Sequence, residues 1–130
     1  MSNLRDYVPQ EARKKGNTFF VNGNPDAEYS GKILGYDLKD GFTPSTLFLE
    51  TLKGRIGEVF INEKAAWLFS CKRDILKKSI NKIINEPNTD LFLVLNEERD
   101  ILGVVKQEGD IFKNIFDVGA YLRREINKKK

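Results

Sequence analysis

The run Leu91-Phe92-Leu93-Val94-Leu95 constrains the fold more than any other segment. Five consecutive apolar residues leave no polar face for solvent, so they read as a central strand buried on both sides of a sheet. The run is far shorter than the roughly 20 apolar residues that cross a bilayer. The polar stretch Asn96 to Asp100 then reads as a hairpin turn, and Ile101 to Val105, with a permissive Gly103, as the partner strand. The chain has 130 residues, 40% hydrophobic and 32% charged. That suffices for one ordinary domain, or two very small ones, with a real core.

Other elements follow from the same kind of reading. Leu4 to Lys15 predicts a helix, short or broken because of Pro9 and stopped by Gly16-Asn17. Thr18 to Val21 and Lys32 to Leu38 predict strands, separated by the turn chemistry of Asn22 to Asp26, with Asp40-Gly41 as a further turn. Ser45 to Leu52 fits a strand or a short helix equally well. Gly54 to Gly57 is the most plausible internal boundary. Glu58 to Ile61 predicts a strand, Asn62-Glu63-Lys64 a turn, and Ala66 to Ser70 a returning strand with both faces buried. Ile75, Leu76, Ser79, Ile80, Ile83 and Ile84 carry three-four spacing, which predicts a basic helix over Lys72 to Ile84, ended by Pro87. Gln107 to Asn114 reads as a polar connection, and Asp117 as the N-cap of a last helix, Val118 to Asn127.

Several chemistries lack their residues. The chain has no histidine and one cysteine, Cys71, so the commonest general base, the commonest transition-metal ligand, an intrachain disulfide and a multi-thiolate site are all missing. Glu97, Glu98 and Asp100 share a turn, and Asp37, Asp40 and Glu50 are scattered. None forms a pair with acid–base spacing, and there is no phosphate loop, dinucleotide fingerprint or nucleophile elbow. The expectation is no catalytic residue, no metal, no cofactor and no enzyme activity. The polar segment Met1 to Gln10 and the lone thiol point to the cytoplasm rather than to secretion or a membrane.

Net charge is only +3, but its distribution is uneven. Arg123, Arg124, Lys128, Lys129 and Lys130 cluster with Glu125 alone opposing them. Lys72, Arg73, Lys77, Lys78 and Lys82 sit with Asp74 alone among them. Cations so concentrated neutralise phosphates and release counterions, and arginine grips a phosphate or base edge through its fork. Either cluster by itself also fits a solvated helix face, the tail complementing a helix dipole. Two in one small chain form an electrostatic footprint for nucleic acid. The aromatic residues, from Phe19 to Tyr121, are expected mostly in the core.

Certain segments resemble a known family. Glu58-Val59-Phe60-Ile61, Ala66-Trp67-Leu68-Phe69 and Asp74-Ile75-Leu76-Lys77-Lys78-Ser79-Ile80 resemble the opening of a PUA domain. Leu93 to Glu97 and Ile101-Leu102-Gly103-Val104-Val105 resemble its later strands. Phe116-Asp117-Val118-Gly119-Ala120-Tyr121-Leu122-Arg123-Arg124-Glu125 is similar to the closing motif of the small PUA-domain factors of large-subunit ribosome biogenesis, found in archaea and eukaryotes. The resemblance covers residues 45 to 130. It implies an α+β, mostly β fold: a C-terminal PUA-type pseudo-barrel with flanking helices over residues 55–130, preceded by a small α/β N-terminal domain over residues 1–54. That N-terminal part is shorter than the family's own, marking a shortened member or paralogue. The resemblance further implies a monomeric RNA-binding protein acting on ribosomal RNA or its precursor, with ribosomal proteins or assembly factors as partners and an archaeal source. The resemblance puts RNA contacts at Arg123, Arg124 and Lys130, and the two charge clusters add Lys128, Lys129, Lys72, Arg73, Lys77 and Lys78 as RNA-binding candidates. Asn127 departs from the family's basic pattern, with Lys128 beside it. The other reading is a protein-interaction module that docks on a ribosomal or RNA-modifying complex through an apolar face of the N-terminal half.

Overall fold

The structure, a computed structural model, describes residues 4–10, 12–21, 32–38, 41–87 and 89–119. Arg123, Arg124, Lys128, Lys129 and Lys130, and most of the expected last helix, lie outside the described residues. The chain divides into two compact units between Leu52 and Lys53.

In the N-terminal unit, β1 (Arg13–Lys15), β2 (Thr18–Val21), β3 (Lys32–Leu38) and β4 (Gly41–Pro44) form an antiparallel sheet in sequence order, followed by α1 (Thr46–Thr51). The expected helix over Leu4 to Lys15 is instead a single 3-10 turn, Leu4–Tyr7, and then β1. Pro9 separates them, and Gly16-Asn17 closes a hairpin rather than ending a helix. Gly41 opens β4. Among the described residues the unit is an antiparallel meander followed by one α-helix. Ser45 resolves the strand-or-helix ambiguity: its hydroxyl accepts from Phe48 N–H at 3.1 Å as the N-cap of α1 and donates to the Ile33 carbonyl at 2.7 Å. Phe19, Phe42 and Phe48 meet edge to face at 5.7 and 5.4 Å over a core that includes Leu34, Leu49 and Leu52.

The C-terminal unit contains β5 (Gly57–Ile61), α2 (Glu63–Ser70), β6 (Ile75–Leu76), a 3-10 turn (Lys77–Ser79), β7 (Ile80–Ile84), β8 (Leu91–Leu95), β9 (Ile101–Glu108) and β10 (Ile111–Asp117). The strands form one sheet in the order β6-β10-β9-β8-β5-β7. Only β5 and β8 pair in parallel. β8 is buried along its whole length at the sheet's interior, as its apolar run requires. The two edge strands, β6 and β7, are consecutive in the chain. Leu76 to Ile80 reaches at most about 14 Å, whereas the edges of a flat six-stranded sheet stand about 24 Å apart. The sheet therefore curls into a half-barrel, consistent with a PUA-type pseudo-barrel. Its interior holds Val59, Ile61, Phe69, Ile75, Phe92, Val94, Val105 and Phe112.

Three expectations are corrected here. Ala66 to Ser70 is helix, not strand: the Asn62 side chain accepts from Ala65 N–H at 2.9 Å and caps α2, so Asn62 to Lys64 starts a helix instead of turning a hairpin. The helix from Lys72 to Ile84 does not form. Its apolar residues divide between β6 on β10 and β7 on β5, and their three-four spacing arises from two short strands around a three-residue turn. Gln107 to Asn114 is not a connection but the end of β9 and the start of β10, joined at Gly109-Asp110. No helix among the described residues is long and apolar enough to cross a membrane.

Candidate nucleic-acid interface

The first pair of expected cations lies where α2 ends. Lys72 takes a left-handed conformation, φ 69°, the position at which glycine usually ends a helix. Its N–H donates to the Phe69 carbonyl at 3.0 Å, and Cys71 N–H donates to Leu68 at 3.1 Å. The chain thus leaves α2 through an exposed Lys72-Arg73-Asp74 turn.

Asn114 fixes that turn. Its amide nitrogen lies 3.1 Å from the Phe69 carbonyl, 3.2 Å from the Arg73 carbonyl and 3.0 Å from Asp117 Oδ2, while its backbone N–H donates to Asp74 Oδ1 at 2.8 Å. Asn114 stands at an irregularity in the β9–β10 pairing, between Asn114 and Phe116, which frees its side chain to reach α2. Asp74, the one carboxylate within the Lys72 to Lys82 segment, thereby accepts from a backbone donor.

The second pair, Lys77 and Lys78, lies on the 3-10 turn between β6 and β7. Lys77 N–H donates to the Asp110 carbonyl at 3.0 Å, joining the turn to the β9–β10 hairpin. Leu76, 45% exposed, pairs across the ladder with Ile111, 40% exposed. With Lys77, Lys78 and Asp110 they line a shallow depression of about 470 Å³. Lys72, Arg73, Lys77 and Lys78 are all exposed, and none forms an ion pair with a described residue. Arg5 and Lys14, by contrast, both bind Asp37 in the N-terminal unit, at 3.0 and 2.9 Å.

The four described RNA-contact candidates therefore flank β6 on two anchored turns, not on one face of a helix, while Lys82 of the same cluster lies on β7. Their exposure matches the sequence reading; the element that carries them does not. Two features escaped that reading. Asn114 has no sequence signature beyond a polar residue in a polar stretch. Trp67, expected inside a buried strand, is 68% exposed on α2.

The Asp117-Val118-Gly119 motif closes the same region. Asp117 is buried at the end of β10 and accepts from Asn114. Val118 N–H donates to the Leu102 carbonyl at 2.8 Å. A Cβ on Gly119 would collide with the Ser70 carbonyl oxygen, and one on Gly103 with that of Phe116. Both glycines admit backbone where a side chain would collide. Among the described residues no cluster of His, Cys, Asp and Glu could hold a metal ion. The arrangement offers fixed positive charge beside half-exposed apolar surface, which suits a polyanion.

No curated protein matches the chain. Residues 57–126, more than half of it, match the UPF0113 PUA domain. That span begins at β5, contains the half-barrel and takes in both basic turns and the Asp117-Val118-Gly119 segment, and the chain belongs to the UPF0113 PUA-domain family.

Proposed function

We propose that this protein is a non-catalytic RNA-binding factor that acts on ribosomal RNA, or on the large ribosomal subunit or its precursor, as a cytoplasmic monomer. PUA domains are generally RNA-binding. The observation that carries the reading is the placement of Lys72, Arg73, Lys77 and Lys78, exposed on two turns around β6 inside the matched domain. Turns held by backbone anchors lose little main-chain freedom on meeting phosphates, and counterion release then favours binding. Arg123, Arg124 and Lys128 to Lys130 add charge close after Gly119 in the chain. The ribosomal assignment rests on the resemblance of the Phe116 to Glu125 segment to the ribosome-biogenesis factors.

Crosslinking and sequencing of RNA bound in cells, with sedimentation on a gradient, tests this. Recovery of ribosomal RNA and sedimentation with large-subunit precursors are expected. Recovery of other RNAs, away from ribosomal particles, would remove the ribosomal assignment and leave RNA binding standing.

A second reading, docking on a protein within such a particle, is favoured by one observation. Leu76 and Ile111 present apolar surface beside Lys77 and Lys78. This surface lies in the C-terminal unit, not on the N-terminal half where the sequence reading put a docking face. A pull-down that survives nuclease treatment would support it.

A further inference from the structure

Trp67 is the only tryptophan of the chain and is 68% exposed. That exposure is unusual, because tryptophan is highly buried on average. The inner side of α2 is complete without it: Phe69 is fully buried, and Ala65 and Ala66 pack against the barrel core. Helical periodicity puts Lys64 and Cys71, three residues before and four after, beside Trp67 on one flank of the outer side, and Glu63, four residues before, on the other. Lys72 and Arg73 follow at the helix end. The depression that includes Glu63 and Ala66 faces Asn96, Glu97 and Glu98, so the acidic hairpin borders the other flank of the helix.

We propose that Trp67 is a stacking platform for one unpaired base of a single-stranded RNA, whose adjoining phosphates are met by Lys64, Lys72 and Arg73. The proposal rests on the RNA-binding reading above and adds to it a specific contact and a strand form. Cations around an exposed aromatic face suit a nucleotide, which carries a π-face and a phosphate together. Duplex RNA keeps its bases stacked on one another and offers Trp67 none.

The sole tryptophan is its own reporter. The full chain is titrated with a labelled single-stranded 12-mer RNA and with a hairpin duplex of the same length. Labelled-RNA anisotropy measures binding, and tryptophan emission measures contact. The single strand is expected to quench emission in proportion to the anisotropy change, and the duplex to leave it unaltered. Trp67→Ala weakens single-strand binding roughly 5- to 150-fold, and Trp67→Phe by less than about threefold, since a smaller ring still stacks. Circular dichroism of both variants checks that the fold is kept, and the quenching of the parent needs no variant. Binding by anisotropy with unaltered emission overturns the stacking proposal and leaves RNA binding intact. No binding of either RNA overturns the RNA reading itself. A Trp67→Ala chain that keeps its RNA affinity but loses a co-purifying protein assigns Trp67 to a protein contact and overturns the proposal too.

Discussion

At the scale of single residues, Asn114 ties the end of β10 to a segment at least 40 residues earlier, the end of α2 and the Arg73-Asp74 turn that follows it. Asn114→Ala removes the side-chain donors but keeps the backbone bond to Asp74. It removes one of the two donors to the Phe69 carbonyl, which keeps Lys72 N–H, and one bond to the buried Asp117 carboxylate, so a loss of about 1–3 kcal/mol is expected in urea unfolding. Asn114→Asp is expected to cost more, because it puts a second carboxylate where an amide now stands 3.0 Å from Asp117 Oδ2. An equal loss in the two variants would show that a second carboxylate at this position is not repelled by Asp117. Gly119→Ala belongs at this scale as well: its Cβ meets the Ser70 carbonyl, and overpacking of this kind costs about 1–3 kcal/mol. Little of this was legible in the sequence. The contacts depend on the register of β10 against β9, which local composition does not encode, and Gly119 looked significant only within a motif.

At the scale of elements, the legible segments were those whose pattern allowed one reading. Leu91 to Leu95 has no polar face, and Lys32 to Leu38 and Glu58 to Ile61 are short and carry Ile33, Leu34, Tyr36, Val59, Phe60 and Ile61. The illegible ones carried two. Ile75 to Ile84 satisfies a helical spacing and also two strands, and isoleucine favours the strands. Ala66 to Ser70 has strand-like alternation, but Asn62 had already started a helix. Asn62→Ala is expected to lower stability by about 1 kcal/mol in thermal unfolding, as loss of an N-cap does; an unchanged midpoint would mean that packing of Phe69 alone sets the helix. At the other end, Lys72 occupies a left-handed position. Lys72→Gly relieves that conformation and is expected to hold or raise stability by up to about 1 kcal/mol, while RNA affinity falls. A variant at least as stable that binds less well separates the charge of Lys72 from its place in the fold. If affinity is kept, Lys72 is no RNA contact.

At the scale of the molecule, the resemblance to a PUA domain led to a pseudo-barrel, but the strand pairings that curl the sheet were not legible in local composition. β5 and β8 pair in parallel across more than 30 intervening positions, and β6 and β7 reach opposite edges although a three-residue turn joins them. The same closure makes a quantitative expectation possible. Lys77 and Lys78 stand on the turn that crosses the gap between the edges, so their charge belongs to a fixed part of the barrel. For single-stranded RNA each phosphate neutralised contributes about 0.7 to the fall of log affinity with log salt. Lys77→Ala with Lys78→Ala is expected to reduce that slope by about 1.4, for all RNA sequences alike, with unfolding stability within about 0.5 kcal/mol of the parent because both side chains are exposed. Anisotropy titrations across a salt series provide the measurement. A double variant with the parental slope would remove these lysines from the interface and leave its charge to Lys72, Arg73 and the cations after Gly119. A slope change confined to one RNA sequence would point to contacts with bases instead of phosphates.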